Sequence, residues 1–192
     1  MSRQTPQKEE VLRLLESCGS PGAKLAVGLA AFSGLKPGVL RGLVLRNLVE
    51  LSQPGLQFSQ VPSRIEVVVG RRGATLVRFY TFLSTDGCQW LLEDLKTRSQ
   101  FASAKSPVVT AQSFREAEKT VHTAGLKWFD LRRYCMSAFM VADTKLPRDV
   151  IDSMFGYKVK EDALQHFVNF FKPSFISFVR QEYVRVEGRF FV

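Results

Sequence analysis

Two runs rich in β-branched and aromatic residues, Ile65-Glu66-Val67-Val68-Val69 and Thr75-Leu76-Val77-Arg78-Phe79-Tyr80-Thr81-Phe82, flank the stretch Gly70-Arg71-Arg72-Gly73. Such runs around a glycine-bounded turn predict an antiparallel hairpin, with the two arginines exposed at its tip. The flanking segments carry helical rather than alternating periodicity. The order is helices, a small sheet, then helices, which is an α+β arrangement in one domain over residues 1–192.

The helical segments are punctuated by capping and breaking residues. Thr5-Pro6 predicts a first helix with Val11, Leu12, Leu14 and Leu15 on its apolar stripe, stopped by Gly19 and Pro21. Gly22 to Phe32 reads as a largely buried helix closed by Ser33-Gly34. A third begins near Pro37, with Val39, Leu40, Leu43 and Val44 on one face and Arg41 and Arg46 off it. Residues 52–63 read as a loop. Thr85-Asp86 caps a helix through Trp90, Leu91, Leu92 and Leu95, and Ser113 with Glu116 fits a capping box. Phe129 to Val141 and the stretch from Leu146-Pro147 to Phe155-Gly156 give two more helices. Glu161 to Phe171 and Pro173 to Val184 complete the set, with Val186 to Val192 as a short strand or arm. Residues 1–8 are expected to be a flexible terminus.

The formal net charge is +9 and the sequence pI about 9.7, which favours a polyanionic partner, nucleic acid foremost. Cys18, Cys88 and Cys135 are widely separated, with no CxxC pair and no Cys/His cluster. That excludes the usual zinc motifs and a disulfide framework. The reading is an intracellular protein with reduced thiols, in cytoplasm or nucleoid, or in the nucleus if eukaryotic. Met1 to Lys8 lacks an apolar signal core, and the apolar run Leu25 to Phe32 is too short to span a bilayer.

The segment Trp128-Phe129-Asp130-Leu131-Arg132-Arg133-Tyr134 resembles the His-x-Leu-Arg-Arg/His box of tyrosine recombinases, the phage-type integrases. Ser33-Gly34-Leu35-Lys36-Pro37-Gly38-Val39-Leu40-Arg41-Gly42-Leu43 resembles the Thr-Gly-Leu-Arg-x-x-Glu-Leu-x-x-Leu box of the same family. The hairpin is similar to the one carrying the family's catalytic lysine, and Thr81-Phe82-Leu83-Ser84 to the segment after it. Ala124-Gly125-Leu126, Phe155-Gly156-Tyr157 and His166-Phe167 complete a series in the family's order. The likeness is to the form found in archaeal and archaeal-virus integrases. It implies a mostly helical catalytic-domain fold with a small antiparallel β-sheet, and a chain without the family's separate core-binding domain.

The resemblance also implies a chemistry and its decay. In the family a tyrosine attacks a DNA phosphodiester, two arginines hold the phosphate, and a hairpin lysine and histidines move protons, with no metal or cofactor. Here Lys36 stands for the first arginine and keeps the charge without the planar fork. Arg71 or Arg72 stands for the lysine; arginine, with a pKa above about 12, is a poor proton donor. Phe129 and Tyr157 stand at the histidine positions, and Arg132 is retained. Phe167 stands at the nucleophile and has no hydroxyl.

The leading expectation is a DNA-binding protein of integrase fold that does not cut, gripping phosphates through Lys36, Arg41, Arg71, Arg72, Arg132 and Arg133. Its affinity should fall steeply with salt. One alternative is an active recombinase using Tyr183 or a partner's tyrosine. Another is a protein-interaction module whose phenylalanine-rich C-terminal segment, over residues 173–192, docks on a partner or is exchanged between subunits. Packing of that segment on its own domain is the simpler reading. Trp128, Phe129 and Phe155 are expected in the core, His122 on a helix surface, and Arg133 in solvent or paired with Asp130.

Overall fold

The computed structural model describes residues 5–52, 55–70, 76–98, 103–157 and 170–191. Helix α1 (Lys8–Glu16) buries Val11, Leu14 and Leu15. It begins later than Thr5-Pro6 suggests, because Gln7 is the cap: its N–H donates to the Glu10 carboxylate at 2.7 Å. Lys8 is therefore the first helical residue.

Helix α2 (Pro21–Ala31) is the central post. Ser20 caps it, its hydroxyl accepting from the Ala23 N–H at 3.2 Å. Ala23, Leu25, Ala26, Val27, Leu29, Ala30 and Ala31 are all buried, and Pro21 and Lys24, near its start, are the half-buried residues of this helix. Its small residues let neighbours approach closely. A Cβ on Gly28 would sit 2.6 Å from the Trp90 ring, and one on Gly22 would meet Asp94 and Ser113.

Helix α3 (Pro37–Gly42) is shorter than its apolar spacing predicts. Leu43 turns to an extended conformation, and Val44 forms an antiparallel bridge with Pro107 instead of continuing the stripe. A 3₁₀ turn spans Leu45–Asn47. The stretch read as a loop contains β1 (Leu51–Ser52) and β2 (Gln57–Phe58), which pair antiparallel.

The predicted hairpin is present. Strand β3 (Ser63–Gly70) pairs antiparallel with β4 (Leu76–Leu83), in a register running from Ser63 opposite Leu83 to Gly70 opposite Leu76. Ile65, Val67, Phe79 and Tyr80 enter the core. Its tip, residues 71–75, lies outside the described residues.

Helix α4 (Thr85–Thr97) is capped one residue earlier than expected, by Ser84, whose hydroxyl accepts from the Gly87 N–H at 3.1 Å. Helix α5 (Ala111–Thr123) is capped by Thr110, which accepts from the Ser113 N–H at 3.1 Å. Glu116 therefore closes no capping box; its carboxylate accepts from the Ser20 hydroxyl at 2.7 Å and ties α5 to the start of α2. Helices α6 (Trp128–Val141) and α7 (Arg148–Met154) agree with the sequence reading. The helix expected over Glu161 to Phe171 lies, apart from Phe170 and Phe171, outside the described residues.

The last element, α8 (Pro173–Phe191), corrects the expected strand or arm: the helix runs on through Val186 and Phe190. Ile176, Val179, Tyr183, Val186 and Phe190 repeat at three- and four-residue spacing, and all are buried. The Phe190 ring lies 4.8 Å from that of Phe32 at the end of α2. In this structure the C-terminal segment thus packs on its own chain. No helix among the described residues is long and apolar enough to cross a membrane.

Candidate nucleic-acid interface

Two glycine-dependent turns meet at the end of α2. In the first, Gly34 has φ +67°, a conformation L side chains avoid, and it follows the C-terminus of α2. Strand β4 fixes this turn: the Ser33 hydroxyl donates to the Phe82 carbonyl, and the Thr81 hydroxyl donates to the Ser33 carbonyl at 3.0 Å. The second turn ends α7. Gly156 also has φ +67°, and the N–H groups of Gly156 and Tyr157 return to the carbonyls of Ser153 and Asp152, both at 2.9 Å. The Phe155 ring lies so close to Gly34 that a Cβ there would be 2.0 Å from it.

Arg132 joins the turns. Projecting from α6, its Nε donates to the Gly34 carbonyl at 2.7 Å and its Nη2 to the Phe155 carbonyl at 3.1 Å. The residue is only 5% exposed. Burial lowers its pKa below the usual guanidinium range, and the adjacent Tyr157 phenol acts in the opposite direction. Among the described residues no carboxylate forms an ion pair with it. Its partners among the described residues are neutral carbonyls and a phenol, and a buried guanidinium so placed retains a strong attraction for an anion.

Tyr157 and Lys36 complete the cluster. The Tyr157 ring lies 5.3 Å from the Arg132 guanidinium carbon and 5.8 Å from Lys36 Nζ, within reach of two cations. Lys36 is exposed and caps the short α3, two residues beyond Gly34. Lys36, Arg132 and Tyr157, which lie far apart in the chain, are thus assembled in one place. The carbonyls of Gly34 and Phe155 were not visible as Arg132 partners from the sequence; the two glycines were their only trace.

Other expected residues sit elsewhere. Arg41 pairs with Glu118 at 3.5 Å and covers the Phe114 ring at 4.4 Å, on the α5 side. Arg133 lies over the Phe129 ring at 5.0 Å. Phe129, expected in the core, is instead 54% exposed, while Trp128 stacks on Phe114 and Phe155 is buried. His122 is on the surface as expected. Arg71, Arg72, His166 and Phe167 lie outside the described residues.

Tyr183 has the placement of a packing residue, not of an attacking group. It is fully buried, its hydroxyl donates to the Phe32 carbonyl at 3.1 Å, and burial pushes its pKa up. Its low acidity and lack of solvent access both oppose nucleophilic use. Among the described residues no group of His, Cys, Asp and Glu could hold a metal ion.

No protein-family model matches the sequence, and no curated protein does. Among solved structures, the crystal structure of XerA recombinase superposes with a TM-score of 0.57, covering 90% of this chain and 67% of that one, at 15% identity. Agreement over so much of the chain at so low an identity is agreement of fold. The molecule has the mostly helical α+β architecture of a tyrosine-recombinase catalytic domain, with its small antiparallel sheet.

Proposed function

We propose that this chain binds DNA through its phosphates and does not cut it. One observation carries the reading: Arg132 is buried at the junction of two turns, beside Lys36 and Tyr157, without a described carboxylate to neutralise it. A net charge of +9 draws a polyanion towards it. Arg71, Arg72 and Arg133 add phosphate contacts on the grounds of their sequence positions. Arg41, already engaged by Glu118, is an outer contact.

The absence of cutting follows from residue chemistry. Phe167, at the position resembling the nucleophile, has no hydroxyl, and Phe129, at a histidine position, carries no proton. Tyr183 is committed to the core.

The test is an electrophoretic shift of duplex DNA at low and moderate salt, with Lys36→Ala as the comparison. Lys36 is exposed, so the substitution leaves the fold intact. Wild type should shift the duplex with a steep salt dependence, and Lys36→Ala should bind more weakly with a log–log salt slope shallower by about 0.9. A suicide substrate should yield no covalent adduct. Equal binding by both proteins at every salt concentration would remove this reading.

A further inference from the structure

We propose that Phe129 and Arg133 form a stacking platform for an unpaired nucleobase, so that the preferred ligand is DNA with bases outside the duplex. This inference rests on the phosphate-binding reading and narrows its substrate class.

Phe129 is a large ring that folding does not use. It stands 54% exposed on the outer side of α6, with the Arg133 guanidinium carbon 5.0 Å from its centroid. Residues three apart on a helix are neighbours, about 5–6 Å between Cβ atoms. Phe129 is three residues before Arg132, and so sits one turn from the buried guanidinium assigned to a phosphate. A nucleotide joins its phosphate and base over a comparable span.

The surroundings fit a polyanion. Lys127 is exposed just ahead of Phe129, and Arg132 and Arg133 follow it. The acid among them, Asp130, is buried at 4% exposure, and its carboxylate accepts from the Lys127 backbone N–H at 2.9 Å. It caps the helix, and its burial keeps it off the exposed face that carries Phe129. The other exposed apolar side chains of this helix differ in setting. Met140 and Val141 lie at the far end, where Arg148 Nη1 is 2.9 Å from the Met140 sulfur.

An aromatic ring backed by a guanidinium offers a base both a stacking face and a cation. Every base has such a face, so the platform tolerates any sequence. An intact duplex keeps its bases inside, so frayed, bulged, branched or single strands present what the platform accepts.

Fluorescence-anisotropy titrations would use three labelled probes: an intact duplex, the same duplex with a bulge of unpaired thymines, and a thymidine single strand. Wild type should bind the bulged and single-stranded probes about ten-fold more tightly than the intact duplex. Phe129→Ala should abolish that ratio and Phe129→Trp should keep it. Lys36→Ala should weaken all three probes while preserving the ratio. A preference that survives Phe129→Ala, or a wild type that binds all three probes equally, overturns the platform and leaves phosphate binding standing. A wild type that binds none of them overturns both.

Discussion

Replacing Arg132 with methionine separates what this side chain does for the fold from what it does for a ligand. Methionine keeps the length of the stem and removes every donor. The carbonyls of Gly34 and Phe155, both on buried residues, then lose hydrogen bonds of 2.7 and 3.1 Å. Each orphaned acceptor costs about 1–3 kcal/mol. Wild type, however, carries the desolvation of a buried cation, visible in its lowered pKa, and methionine relieves it. The net loss of stability should be about 1–4 kcal/mol in urea titrations. Arg132→Lys should fall between the two, since one nitrogen cannot bridge both turns as a fork does. Binding should suffer separately. A lost charge-assisted contact of about 1.5–3 kcal/mol weakens duplex affinity roughly 10- to 150-fold, and the salt slope drops by about 0.9. A folded Arg132→Met protein with wild-type affinity and salt slope would refute the phosphate site. An unchanged urea midpoint would refute the bridging role.

Three further outcomes are expected. Gly34→Ala meets both a left-handed backbone and a Phe155 ring atom 2.0 Å from the new Cβ, so it should cost about 2–5 kcal/mol; a loss below about 0.5 kcal/mol in urea titration would contradict that geometry. Tyr183→Phe removes a buried hydrogen bond and should cost about 1 kcal/mol without altering DNA affinity. A covalent DNA adduct seen with wild type and missing in Tyr183→Phe would reinstate that tyrosine as a nucleophile. Glu187 accepts from both the N–H and the hydroxyl of Thr85, yet burial raises its pKa above the usual 4.5. The folded state then holds this proton more tightly than the unfolded one. Its contribution is present below about pH 4.5 and is lost as pH rises through the folded value. Melting temperatures of wild type relative to Glu187→Gln should decline as pH rises above about 4.5; a relative rise would reverse the assigned sign.

The hairpin and the major helices were legible because their signals are local. Runs of β-branched and aromatic residues make β3 and β4, and apolar spacing broken by glycine and proline marks α1 and α2. Caps shifted where several capping residues stand near one another: by one residue at Ser84-Thr85, by two from Thr5 to Gln7 and by three from Ser113 to Thr110. Helix α6 concealed more. Its buried face holds Asp130, Leu131, Arg132, Tyr134, Cys135 and Phe139. At about 100° per residue, Phe129 lies about 200° around from Leu131 and faces solvent. A sequence reading that buries the ring and exposes the charges inverts this arrangement, because burying Asp or Arg is rare unless partners exist. Those partners are backbone groups: the Lys127 N–H for Asp130, and the Gly34 and Phe155 carbonyls for Arg132. Residue identity alone does not reveal them. The box resemblance gathered Lys36, Arg132 and Tyr157; only the folded chain shows that the arginine also holds the gathering together.

Helix α8 gives the molecule an ending that is expensive to lend. Peeling it off would wet Ile176, Val179, Tyr183, Val186 and Phe190 together, a penalty on the order of 10 kcal/mol at about 1.5–3 kcal/mol per side chain. A neighbour's identical helix would restore every contact, so a traded pair would differ from two separate molecules chiefly by the entropy of association. A barrier separates them as well. Interchange would have to pass through an opened interior, and would keep the slow clock of unfolding rather than the fast one of two surfaces meeting.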